Sequence, residues 1–192
     1  VRCIMLNFIK NLISRNGIMV DSREDARIKY AKLQRRGDIE HELELQRRRI
    51  ESLGDRVLNI INNGDDILLI FRRVCADNEA DDSAVYLRTI IITPMGVRYP
   101  ELRLDAVYYK EEAKIKIGDI KISGQNINCG YGSIMMKELL KIADRQKVRQ
   151  ITGWISGVDW NHIERLQHFY EKHGFKVILD LEKKSGDIVL EM

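Results

Sequence analysis

The chain has 192 residues, 44% of them hydrophobic, enough for one well-buried core with room for an accessory element. Its 32 Lys and Arg are nearly balanced by 29 Asp and Glu, leaving a formal charge of +3, so charge gives no ground for a nucleic-acid partner. Cys3, Cys75 and Cys129 are odd in number, far apart and without Cys-x-x-Cys or Cys/His spacing, which argues against a disulfide framework or a zinc cluster and for a reducing, cytoplasmic setting.

The opening RCIMLNFIKNLISRNG is apolar in patches but carries Lys10 and has no small-residue cleavage site. It also lacks an apolar span of about 18 residues, so an amphipathic helix is expected there, with no membrane anchor or secretory signal. Asn16-Gly17 marks a turn, and Asp21-Ser22 followed by Glu24 and Asp25 has the capping oxygens and negative first turn of a helix start. The proline-free stretch from there to about Asn62 predicts one long helix, with Gly37 a candidate break. Within it Ile39, Leu43, Gln46, Ile50, Leu53, Val57 and Ile60 alternate spacings of four and three, the seam of a heptad repeat. The pattern predicts a coiled-coil-like arm over residues 1–63 that makes a homodimer; the same stripe would equally pack the helix on the protein's own sheet. Arg47-Arg48-Arg49 is interleaved with Glu40, Glu42, Glu44 and Glu51 and reads as solvated surface.

After Asn62-Asn63-Gly64 the chain becomes rich in branched and aromatic residues. Strands are expected over Ile67–Cys75, Ala84–Thr93, Leu102–Tyr109 and Ala113–Ile122, mostly antiparallel. They are followed by a helix from Tyr131 to Lys147, a strand Gln150–Ser156, a helix from Asn161 to His173, and strands Lys176–Leu181 and Asp187–Leu190. Residues 64–192 thus form an α+β domain with a twisted sheet flanked by helices.

In the fourth strand Ile115 and Ile117 share odd parity while Ile120 and Ile122 share even parity. A bulge at Gly118-Asp119 would return both pairs to one face; a strand buried on both faces would make parity uninformative. Beyond it, Gly130 and Gly132 lead into a helix, offering approachable backbone amides and a partial positive charge suited to phosphate. No Gly-Lys-Ser/Thr follows, and the third glycine of a dinucleotide fingerprint is missing.

Cys129-Gly130-Tyr131-Gly132-Ser133, together with the strand before it and Phe169-Tyr170-Glu171-Lys172-His173-Gly174-Phe175 after it, resembles the Gcn5-related N-acetyltransferase (GNAT) family. The resemblance covers Ile67 to Met192. It implies an enzyme that transfers an acetyl group from acetyl-CoA to an amine of a small molecule or peptide. By the same resemblance the pyrophosphate would lie on the amides of Ile127, Cys129, Gly130, Tyr131, Gly132 and Ser133, and the pantetheine arm beside Ile120, Ile122 and Tyr170. Tyr170 would act on the departing thiolate. For the base the candidates are Asp119, first because bulges re-aim side chains, then Glu111, Glu112, Asp159 and His162. His168 and His173 are expected on a helix surface. Three departures stand out: Ile127 replaces the family's Gln or Arg, Ile163 replaces an asparagine, and about ten residues, Ala76 to Val85, stand where the family has two acceptor-wall helices. The last motivates a rival reading, a non-catalytic acyl-CoA-binding module that dimerises through its N-terminal helix.

Overall fold

In a computed structural model of the chain, residues 38–74, 83–122 and 126–192 are described. The expected helical elements before Asp38, and most of the interval between the first two expected strands, lie outside them. The described elements are α1 (Ile39–Ser52), β1 (Arg56–Asn63), β2 (Asp66–Arg73), β3 (Ala84–Thr93), β4 (Gly96–Tyr109), β5 (Lys114–Lys121), α2 (Tyr131–Arg145), β6 (Gln150–Ile155), a 3-10 turn (Gly157–His162), α3 (Ile163–Lys172), β7 (Lys176–Asp180) and β8 (Ser185–Glu191). The eight strands form one sheet in the order β1-β2-β3-β4-β5-β6-β8-β7. Only the β5–β6 pair is parallel.

Helix α1 corrects the expected long helix. It begins at Asp38, whose Oδ1 accepts the His41 N–H at 3.0 Å, and stops at Ser52. Gly54, with φ of 77°, donates to Glu51 O, and Asp55 N–H reaches back to Ile50 O at 3.1 Å. That is the Schellman arrangement, in which a glycine in the left-handed region closes a helix. Val57 and Ile60, read as heptad positions, therefore sit in strand β1, where branched side chains suit an extended backbone better. Asn63-Gly64-Asp65-Asp66 then turns the chain into β2, Gly64 taking φ of 63°.

The Ile39–Ile50 stripe is satisfied within the chain. Ile50 is fully buried with Leu69, Phe71, Ile90 and Ile92, and Ile39, Leu43 and Val57 pack around them. Residues 39–63 thus belong to the same body as the sheet, not to a separate arm. Burial of each such large apolar side chain contributes about 1.5–3 kcal/mol.

The larger core lies on the other face of the sheet. There Leu68, Leu87, Leu104, Ile115, Ile117 and Ile151 meet Met135, Met136 and Leu139 of α2 and Tyr170 of α3. We call this the inner face and the α1 side the outer face. Helix α2 is anchored by buried Glu138, which accepts from Lys141 at 2.7 Å and from Asn59 of β1 at 2.8 Å.

The expected strand boundaries from Ala84 to Glu191 agree with the observed ones to within a few residues, apart from β4, which starts earlier, at Gly96. The irregularity in β5 is a bulge: Asp105 pairs with Asp119 and Ala106 with Ile117, leaving Gly118 as the extra residue. Burial on both faces is excluded, since Lys116 and Asp119 are exposed.

Candidate active site

Strand β5 pairs with β6 from Lys114↔Gln150 to Ile117↔Gly153 and no further, although β5 runs on to Lys121 and β6 to Ile155. The ladder ends where Gly118 is inserted. A strand that gains a residue on one side bends, and here the bend opens the β5–β6 edge and leaves main-chain groups of β5 without a β6 partner. A cavity of about 390 Å³ occupies the opening, a volume typical of small-molecule sites.

One wall is the start of α2. Asn128 and Gly130 take positive φ, 65° and 76°, and the helix carries no side-chain cap. Its first internal bond is Ile134 N–H to Gly130 O at 3.2 Å. The N–H groups of Tyr131, Gly132 and Ser133 precede that bond, so the helix itself gives them no acceptor, and no acidic residue occupies the first turn. The two glycines have different tasks. Gly130 faces open space and is required by its left-handed backbone. A Cβ on Gly132 would lie 2.7 Å from Ile122 Cδ1 and 3.2 Å from Phe169 Cε2, so this glycine lets α2 close on β5 and α3.

The residues around it divide in the same way. Tyr131 supplies backbone only: its buried hydroxyl donates to Asp66 Oδ2 at 3.2 Å, and burial, then Asp66, pushes its pKa up. Ser133 Oγ lies 3.1 Å from His173 Nε2. His173, expected on the surface, is instead half-buried, with its ring 5.0 Å from Phe169 edge to face. Burial, then Lys172 and Lys137, lowers its pKa, which favours the neutral ring.

Tyr170 lines the cavity and is 8% exposed, held edge-on between Phe169 at 5.2 Å and Phe175 at 5.6 Å. Its pKa is pushed up to about 12 by burial first, then by Asp159 and Asp119. Among the described residues its hydroxyl has no hydrogen-bond partner. Asp119 and Asp159 line the same cavity. Asp119 Oδ2 forms an ion pair with Arg103 at 3.1 Å. Glu111 and Glu112 lie in the turn at the far end of β5, and neither they nor His162 line the cavity.

Ile120, Ile122 and Ile127 all line it, the first two also packing on the inner core. Cys129 is exposed on the loop, outside the lining, with Sγ 3.7 Å from Ile127 O. Sequence reasoning missed Asn126, Trp154, Arg165 and Lys172 as lining residues. Asn126 is 4% exposed and, among the described residues, its buried Oδ1 has no partner. An unmet acceptor costs about 1–3 kcal/mol. Its only signal in the sequence was position, one residue before Ile127. Among the described residues no group of three or more His, Cys, Asp or Glu could hold a metal ion, and no helix is long and apolar enough to cross a membrane.

No protein-family model matches the sequence. Over 80 residues the chain is 51% identical to the uncharacterized protein YocC of Bacillus subtilis (strain 168), a match that takes in 42% of this chain and 46% of YocC. The chain thus spans less than half the length of the curated relative that it matches. Among solved structures it is similar to nourseothricin acetyltransferase, with a TM-score of 0.43 and 15% identity over 71% of this chain and 82% of that one. It is similar to Ard1 from Thermoplasma volcanium, with a TM-score of 0.42 and 13% identity over 55% and 70% of the two chains. It is also similar to N-acetylglutamate synthase from Neisseria gonorrhoeae complexed with coenzyme A and N-acetyl-glutamate, with a TM-score of 0.36 and 15% identity over 96% and 39%.

Proposed function

We propose that the chain is a GNAT-type acyltransferase that moves an acetyl group from acetyl-CoA to an amine. The observation that carries this reading is the Gly118 bulge, which ends the β5–β6 ladder and opens a cavity directly beside the uncapped start of α2. A strand edge with free main-chain groups suits the amides of a pantetheine arm. The amides of Tyr131, Gly132 and Ser133 suit a pyrophosphate, since charge-assisted bonds of this kind contribute about 1.5–3 kcal/mol each. The buried Asn126 carbonyl fits as an acceptor for a donor on the same ligand.

In the reaction the ammonium first gives up a proton, and the neutral nitrogen then bonds to the thioester carbon. The C–S bond breaks with its electron pair going to sulfur, and the nitrogen loses its second proton to water as the amide forms. Tyr170 acts on that sulfur as a hydrogen-bond donor. With its pKa at about 12, outright transfer to a thiolate of ordinary pKa near 8.5 would be uphill by about 5 kcal/mol. The thiolate therefore leaves hydrogen-bonded to Tyr170 and takes its proton from water. Asp159, which lines the cavity and has no ion-pair partner among the described residues, is the better candidate to receive the amine's proton; Asp119 is engaged by Arg103. Helix α1 lies over β1, β2 and β3 on the outer face, and none of its residues lines the cavity.

Calorimetric titration of the full chain with acetyl-CoA tests the coenzyme site. Binding is expected, weakened about 5- to 30-fold in Gly130→Ala, because a side chain in the left-handed region costs about 1–2 kcal/mol. No binding by the unaltered protein would end this reading. Thiol release with a panel of primary amines then tests turnover, which Tyr170→Phe should slow through kcat.

A further inference from the structure

The first three residues of α2 are each held by a different part of the fold. Gly132 closes on Ile122 and Phe169, and Ser133 Oγ meets His173 at the C-terminal cap of α3. Tyr131 reaches the other way, toward the far strands. Its hydroxyl donates to Asp66 Oδ2, and the same oxygen lies 3.4 Å from Arg98 Nη1. Asp66 opens β2 on the same face as Leu68, and Arg98 of β4 stands opposite Ile91. Leu68 and Ile91 belong to the inner core, so Asp66, Arg98 and the Tyr131 ring meet on the inner face, where side chains two apart on a strand share a side.

Neither Asp66 nor Arg98 lines the cavity. Filling the core does not require this arrangement, since a phenylalanine ring has nearly the same shape and brings no hydroxyl to satisfy. What the hydroxyl adds is a fixed point at the first helical residue. The N–H groups there have no acceptor within the helix, and donors already held in place need no ordering when an anion arrives. A carboxylate tied to this turn would by itself repel that anion. Arg98 offsets its charge on the same oxygen.

We propose that Asp66 is a positioning residue for the coenzyme: through the Tyr131 hydroxyl it fixes the first turn of α2 so that the amides of Tyr131, Gly132 and Ser133 converge on the pyrophosphate, with Arg98 balancing its charge. This rests on the coenzyme site of the acyltransferase reading and adds to it two residues that touch no ligand. The turn between β1 and β2, which delivers Asp66, is thereby part of the site.

The test is calorimetric titration of the folded full chain with acetyl-CoA. Tyr131→Phe should raise the Kd about 10-fold, as expected for loss of a hydrogen bond to a charged group. Asp66→Ala should do the same, whereas Asp66→Asn, which keeps an acceptor for the hydroxyl, should return the Kd to within about 3-fold of the unaltered protein. Arg98→Gln leaves the Asp66 charge unbalanced. Relative to the unaltered protein it should weaken binding about 5-fold in about 20 mM salt and by less than about 2-fold in about 500 mM salt, because salt screens the repulsion. A contact that only supports the fold would lower the urea midpoint without separating Asn from Ala in affinity and without that salt dependence. An unchanged Kd in Tyr131→Phe, equal affinities for Asp66→Ala and Asp66→Asn, or a salt-independent ratio for Arg98→Gln overturns the inference. Should Asp66→Ala not fold, the Tyr131→Phe titration decides. Failure of the unaltered protein to bind acetyl-CoA would instead overturn the acyltransferase reading.

Discussion

Strands β2 and β3 and strands β5 and β6 are similarly rich in isoleucine, yet the first pair is sealed and the second is open. Between β2 and β3 the register runs unbroken from Ile67↔Ile92 to Arg73↔Tyr86, and Leu68, Leu69, Ile70 and Phe71 are fully buried. Between β5 and β6 the ladder stops at Ile117↔Gly153, and the isoleucines beyond line a cavity. The difference is not one of hydrophobicity. One inserted glycine changes the register, and the strand that bends away cannot be followed by its neighbour.

The sharpest way to break this contrast is to damage each region and ask whether the other notices. Ile50→Ala should cost about 2–5 kcal/mol of stability through a cavity beneath α1, read by urea unfolding, while acetyl-CoA affinity of the folded protein stays unchanged. Loss of affinity in step with stability would show that the two regions are not independent. Deleting Gly118 should do the reverse: acetyl-CoA binding falls on the order of 100-fold as Asp119 to Lys121 swap faces, while the sheet's circular dichroism persists. Unchanged affinity would mean that the bulge does not make the site.

Tyr170 offers a gentler probe. Its folded pKa, about 12, lies above the ordinary value of 10.0, so its contribution to stability is fully present below pH 10 and is lost as pH rises through about 12. The unfolding free energy should fall by up to about 2.7 kcal/mol over that window, relative to Tyr170→Phe. Parallel curves for the two proteins would place the hydroxyl in water. His173 should give the smallest effect and the opposite sign. Its pKa is lowered from 6.5 in the fold, so its contribution is complete above pH 6.5 and declines as pH falls below that. The measurement is the stability difference between the wild type and His173→Asn from pH 8 to pH 5, and a difference that grows on acidification would remove the neutral Ser133–His173 contact from the account.

Much of the β-rich region could be read from residue order because its information is local. Alternation marked the strands from Ala84 onward, the parity slip marked Gly118, and the glycine pair marked the start of α2. Where two structures satisfied the same local pattern, reading failed. The heptad spacing of Val57 and Ile60 fits a helix, but Gly54 ends the helix first and the sheet accepts both residues in an extended chain. Gly130 and Gly132 look equivalent in sequence, and only packing against Ile122 and Phe169 separates a conformational requirement from a steric one.

The sequence by itself determined where this protein bends, because bulges, turns and helix ends are set by a few residues acting on their own backbone. Only the tertiary structure decided what those bends bring together. Asn126, Trp154 and Asp159 come from three separate segments, and no spacing between them foretells one cavity. They meet because the sheet fixes β5 and β6 side by side and then lets them part.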